Sequence, residues 1–260
     1  MTKGCIVIVL FSCGLWAQPA VAPPQLGFVK DSAGQLRPAY GIAGSFVLGP
    51  SASGKIVSAA FSGTFGLLKT DSSIAAFDAH GKLLASMDAS AGPALFAFSP
   101  GGTTALAYVA SDNALVEWRG GAFAPVSLNF RDSIEGAVLA IAFPTPFEAA
   151  LIVQRKETVW ELHFPVGNAG TVSQSAITGV HPPLLALPSG DLVFRDAGGI
   201  AIRRTDGSET RIAAALPTDF SLQQMNRDWV QLTDLTGSAR YAIRTTAGRE
   251  SFYQLPEASQ

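Results

Sequence analysis

From Leu26 onward, apolar residues come in short runs that alternate with polar ones and break at Gly, Asp, Asn or Pro. Leu67-Leu68-Lys69-Thr70, Leu115-Val116-Glu117-Trp118, Thr158-Val159-Trp160-Glu161-Leu162 and Tyr241-Ala242-Ile243-Arg244 show the pattern. Period-2 alternation with β-branched and aromatic residues predicts strands. No segment sustains a 3.6-residue period, and no capping box opens onto a run of helix formers. The expected elements are strands and turns throughout.

The turns recur in step. Asp31, Asp71, Asp112, Lys156 or Glu157, Asp196 and Asp234 form one series. Gly44, Gly81, Gly121, Gly170, Gly207 and Gly248 form a second, and Gly63, Gly102, Pro146, Gly190 and Asp228 a third. The series interleave in a fixed order with a period of about 40 residues, so each repeat holds three turns and four strands. That is the period of a β-propeller blade. Five units run from about Ile56 to Pro256. A sixth, Leu26 to Pro50, has the second and third turns but no evident innermost strand, and the tail after Leu255 is too short to supply one. The expected fold is all-β: a propeller of about six four-stranded blades with an incomplete first blade. Five or seven blades remain open, and a β-sandwich is the rival without a fixed period.

Phe98-Ser99-Pro100-Gly101-Gly102-Thr103-Thr104-Ala105-Leu106-Ala107 resembles the Phe-Ser-Pro-Asp-Gly stretch of WD-like repeats in periplasmic propellers of the Tol-Pal-associated type. Ala142-Phe143-Pro144-Thr145 and Ala186-Leu187-Pro188-Ser189-Gly190-Asp191 are similar to weaker copies. Pro presets φ at the turn and Gly takes the positive-φ position. Gly101 stands where the pattern has Asp, and the Trp-Asp pair and structural His of WD repeats are missing. The resemblance implies a fold and carries no activity.

Composition adds an export reading. Lys3 precedes an uncharged apolar run from Gly4 to Trp16, too short to span a bilayer. A signal peptide 1–17 is expected, followed by a Pro-rich lead-in 18–25 and a single propeller domain 26–260. Cleavage after Ala22 is the alternative, disfavoured by Pro23; a lipid-modified Cys13 is another, which Phe11 fits poorly. Cys5 and Cys13 both fall in this leader, so the mature chain has no thiol, disulfide or cysteine metal site. Hydrophobic residues make up 48% of the 260, enough for a core, and no later apolar run reaches membrane-spanning length. A net charge of −2 without a basic run excludes a nucleic-acid footprint. The mature protein is expected to be secreted or periplasmic and monomeric.

Candidate chemistry is sparse. The crossovers between blades share a face with the second turns, where a channel mouth is expected. Lys55, Arg131, Asp132, Glu135, His181 and Asp219, with Ser53, Asp88 and Ser90 beside them, are the ligand-binding candidates there. The plainer reading is that surface loops are polar anyway. The Asp series suits turn capping better than calcium, which needs six to eight oxygens at one point. His80, His163 and His181 share no metal-ligand spacing. No Gly-x-Ser-x-Gly elbow exists, and Gly49 to Lys55 echoes a phosphate loop without its required offsets. Trp118, Trp160, Phe194 and Tyr241, read as lying shortly after the second turns, are better core positions than a sugar platform. No catalytic residue, metal or cofactor is expected. The favoured function is a non-catalytic module binding a protein or small-molecule partner in the cell envelope. The alternative is a divalent-cation-dependent lactonase- or esterase-like hydrolase, using Asp132, Glu135 and Asp219 at the channel mouth.

Overall fold

The computed structural model describes residues 23–51, 55–126, 135–145, 147–166, 173–236 and 239–256. Every element is a strand, and the strands form six separate antiparallel sheets. Blade 1 holds β1 (Gln25–Lys30), β2 (Leu36–Ile42) and β3 (Ser45–Leu48). Blade 2 holds β4 (Ser58–Phe61), β5 (Phe65–Lys69), β6 (Ser73–Asp78) and β7 (Leu83–Asp88). Blade 3 is β8 (Ala94–Phe98), β9 (Thr104–Val109), β10 (Ala114–Arg119) and β11 (Ala122–Pro125). Blade 4 is β12 (Ala137–Thr145), β13 (Glu148–Arg155), β14 (Thr158–Pro165) and β15 (Ser173–Ile177). Blade 5 is β16 (His181–Ala186), β17 (Leu192–Asp196), β18 (Gly199–Arg203) and β19 (Glu209–Ala213). Blade 6 is β20 (Phe220–Gln224), β21 (Trp229–Asp234), β22 (Arg240–Arg244) and β23 (Ser251–Gln254).

Strand position within the blade sets the sequence pattern. Inner strands lie between two neighbouring blades and bury both faces, so they read as continuous apolar runs. β9, Thr-Ala-Leu-Ala-Tyr-Val, is buried at every residue. The outermost strand β7, Leu-Leu-Ala-Ser-Met-Asp, alternates half-buried and exposed positions. Leu83 and Leu84 lie exposed on it.

The core consists of six clusters, one at each blade-to-blade contact. Leu67, Phe98 and Trp118 join blades 2 and 3; Leu106, Phe143 and Leu151 join blades 3 and 4. Ile152 and Phe194 join blades 4 and 5; Ile200 and Leu232 join blades 5 and 6. Phe28 with Phe61, and Val29 with Trp229, close the two sides of blade 1. Six filled interfaces in sequence make a closed ring, which rules out the sandwich. Trp118, Trp160, Phe194 and Tyr241 all belong to these clusters. Phe194 lies on the second strand of its blade, ahead of the second turn rather than after it.

The turns keep their expected chemistry. Gly44, Gly81, Gly121, Gly207 and Gly248 all adopt φ between 73° and 89°. Gly170 and Pro146 lie outside the described residues. Asp31 Oδ1 accepts the amides of Ala33 and Gln35 at 3.0 and 2.8 Å, and Asp234 Oδ1 that of Thr236 at 2.8 Å.

Among the described residues, blade 1 has no innermost strand, and the ring closes without one. β4, β8, β12, β16 and β20 touch in succession, and β20 touches β4 directly. β1 stands behind that junction, against β4 and β21. Its unpaired inner edge is capped by side-chain amides of blade 6. Gln231, fully buried, accepts Lys30 N–H through Oε1 and donates Nε2 to the Lys30 carbonyl, both at 3.0 Å. Asn226 Nδ2 donates to the Leu26 carbonyl. These contacts satisfy groups that a neighbouring strand would otherwise pair.

Candidate functional site

The up-and-down strand order divides the connections between two faces. First and third turns open on one face; second turns and crossovers open on the other. The site residues expected from the sequence lie on the crossover face. Lys55 is exposed and packs its Cγ over the β1–β2 turn at Gly34. The Glu135 carbonyl accepts Arg155 Nε at 3.0 Å. His181 opens β16 opposite Arg195, before a cis Pro182-Pro183 bond. The Asp219 carbonyl accepts the Leu235 amide at 3.0 Å. No hydrogen bond or ion pair joins these four to one another. Arg131 and Asp132 lie outside the described residues. Glu135 and Asp219, proposed above as cation ligands, belong to crossovers two blades apart. Among the described residues, no group of three or more His, Cys, Asp or Glu side chains is placed to hold a metal ion.

Among the described residues, three cavities open on the opposite face. One of about 160 Å³ lies over the capped edge of β1, between Leu26, Phe28, Phe61 and Met225. One of about 370 Å³ lies on blade 4 beside His163. There His163 Nδ1 meets Glu148 Oε1 at 2.8 Å and Nε2 faces Glu161 Oε2 at 3.4 Å. The imidazole stands between two carboxylates. Fifteen residues separate His163 from Glu148, and no motif links them in the sequence.

The third cavity, of about 200 Å³, draws its walls from the first turns of four blades. Blade 2 contributes Ser62, Gly63 and Thr64; blade 3, Phe98 to Gly102; blade 5, Pro188 and Ser189; blade 6, Arg227. Turns from blades around the ring meet in one cavity only near the axis, so this is the mouth of the ring on that face.

The recurrent turn sequence builds its walls. In blade 3, Ser99, 3% exposed, accepts the amides of Thr103 and Thr104 and donates to the Thr104 carbonyl. Gly102 N–H closes the turn onto the Ser99 carbonyl at 2.8 Å, with φ at 62°. In blade 5, Gly190 N–H closes onto Leu187 in the same way, with φ at 85°. Thr64 Oγ1 donates to the Gly102 carbonyl at 2.9 Å and stitches blade 2 to blade 3 across the mouth.

The charge at the mouth comes from blade 6. Asn226 Oδ1 accepts the Asp228 amide at 2.7 Å, and its Nδ2 reaches Leu26 of blade 1. One side chain thus caps the turn and ties it to the incomplete blade. Between them stands Arg227, exposed and without an ion pair among the described residues. Sequence reasoning passed over Arg227 because a single arginine in a turn carries no motif. Its place immediately before Asp228, in the first-turn series, was the available signal.

Partly buried ion pairs lie within and between the blades. Arg204 pairs with Asp191 at 3.0 Å and with Glu250 of blade 6. Burial works against the Glu250 carboxylate, but its own backbone amide and Arg204 outweigh this and hold its pKa below the ordinary value. Burial likewise opposes the charge on Asp31, and Arg37, at 2.7 Å, with the two turn amides holds its pKa low.

No family model matches the chain, and no curated protein matches it. Solved structures do. TolB from Acinetobacter baumannii is similar at 14% identity and a TM-score of 0.60, over 90% of this chain and 64% of that one. A chain of the nidogen/laminin complex is similar at 11% identity and a TM-score of 0.59, over 88% of this chain and 92% of that one. This chain therefore spans less than two thirds of the TolB chain. At such identities the likeness shows the fold alone. The chain is a six-bladed β-propeller, as the resemblance at Phe98 to Ala107 implied. Among the described residues, no helix is long and apolar enough to cross a membrane.

Proposed function

We propose that this chain is an exported, non-catalytic propeller of the cell envelope that binds a partner at the first-turn mouth of its ring. The observation that carries the reading is the roughly 200 Å³ depression walled by four blades, which sets one guanidinium among hydroxyl and backbone groups. It offers donors for recognition and no acid, base or nucleophile set for turnover. The crossover residues Lys55, Glu135, His181 and Asp219 take second place, because none of them lines any of these three cavities; Arg131 and Asp132, the other two candidates, lie outside the described residues. Export rests on the leader 1–17, with the lead-in 18–25 and the propeller 26–260 as the mature monomer. The protein needs no cofactor for this role.

Blocking the mouth tests the reading. Ser189→Trp fills the depression from a surface turn, while Lys55→Ala with His181→Ala strips the other face. Small-molecule binding, read as a ligand-induced rise in Tm, is expected to vanish in the first variant and persist in the second. The reverse pattern overturns the assignment. N-terminal sequencing of the exported protein is expected to begin at Gln18; a chain still beginning at Met1 contradicts the leader.

A further inference from the structure

We infer that the mouth is an anion site, with Arg227 as its charged ligand and Asn226 as the residue that positions it. This rests on the mouth being the binding surface. The lining contains one arginine and no carboxylate, although acidic residues outnumber basic ones in the chain. The nearest acids are accounted for. Asp191 shares the Arg204 guanidinium with Glu250, and neither these two carboxylates nor Asp228, next to Arg227 in the chain, line the cavity.

The remaining polar groups are donors or are already committed. Thr64 and Ser99 hydroxyls donate to backbone carbonyls, and Ser62 Oγ donates to the Phe65 carbonyl at 3.1 Å. Ser189 Oγ accepts the Asp191 amide at 3.4 Å, which leaves its hydroxyl proton to donate. Among the described residues, the amides of Gly63 and Gly101 have no acceptor. A guanidinium, a hydroxyl and backbone amides in one concavity, without a competing acid, match a carboxylate or phosphate. The volume limits the ligand further. It falls below the roughly 300–1,000 Å³ of sites for drug-sized molecules, and suits inorganic phosphate or a four-carbon dicarboxylate. The capping of this turn through Asn226 onto Leu26 fixes the backbone that carries Arg227. The edge left by the missing strand of blade 1 thereby supports the site.

Titration calorimetry of the whole chain with inorganic phosphate, succinate and glucose tests this. Phosphate or succinate is expected to bind, weakening as salt rises. Arg227→Gln is expected to lower the affinity at least tenfold, and Arg227→Lys to lose less. Lys82→Gln removes one positive charge from a third turn on the same face and is expected to change nothing. Asn226→Ala is expected to weaken binding and to shift the Arg227 and Asp228 amide resonances in the free protein, which a change in charge alone would not do. Equal losses in Arg227→Gln and Lys82→Gln overturn the inference in favour of a general surface field. Glucose binding that Ser189→Trp blocks and Arg227→Gln leaves intact overturns the anion assignment while the mouth stands. Binding of no probe at the mouth overturns both.

Discussion

Gly27 has a φ of 139°, and a Cβ built on it would lie 2.3 Å from the Met225 carbonyl oxygen. Here β1 runs against the β20–β21 turn with no space for a side chain. Gly27→Ala combines an unfavourable backbone conformation with a backbone clash. It is expected to destabilise by about 1–3 kcal/mol from the conformation alone, measured by denaturant unfolding. Asp31 contributes to the acid limb of stability. Its folded pKa is lowered, so its contribution is full above the ordinary aspartate value and is lost as pH falls through the folded value. Asp31→Asn is expected to cost roughly 1–3 kcal/mol at neutral pH, from the lost Arg37 contact, while the Asn oxygen goes on accepting the two turn amides. It should also flatten the loss of stability below about pH 4. An unchanged acid limb would remove Asp31 from the account. Lys69 makes the opposite case. It is fully buried and donates to the Thr70 carbonyl at 2.5 Å. Burial lowers its pKa against the pull of Asp71 and Asp112. A buried charge of this kind is weak evidence for stability.

Among elements, blade 1 is the least secured. Among the described residues, its two flanking clusters hold six buried residues each, against eight to twelve elsewhere. Its inner edge depends on two side-chain amides. Gln231→Leu would orphan the Lys30 amide and carbonyl, at roughly 1–3 kcal/mol for each buried group left unpaired. Amides of β1 to β3 are expected to exchange faster than those of β12 to β14, and Gln231→Leu to widen the gap. Uniform protection around the ring would contradict this. The missing strand was legible in the sequence because Leu26 to Pro50 has two turns where other units have three. How the ring closes over the gap was not. That depends on Gln231 and Asn226, about 200 positions from the backbone they cap, and no local period reports such a pairing.

For the whole molecule, the repeat carried the fold. Interleaved turns gave the blades their order, and strands buried on two faces gave continuous apolar runs. The site was less legible. The sequence placed polar candidates on the crossovers because a channel mouth is expected on the face they share with the second turns. The described cavities lie on the other face, where short turns converge and one arginine stands among glycines and serines. Convergence is a property of ring closure, so it appears only when the blades are assembled. The central claim is that the first-turn mouth is the working surface. The most direct test is an amide-shift map of the isotope-labelled protein titrated with inorganic phosphate. The account predicts shifts confined to Gly63, Thr64, Gly101, Gly102, Ser189 and Arg227. Shifts clustering instead at Lys55, Glu135, His181 and Asp219 would contradict it.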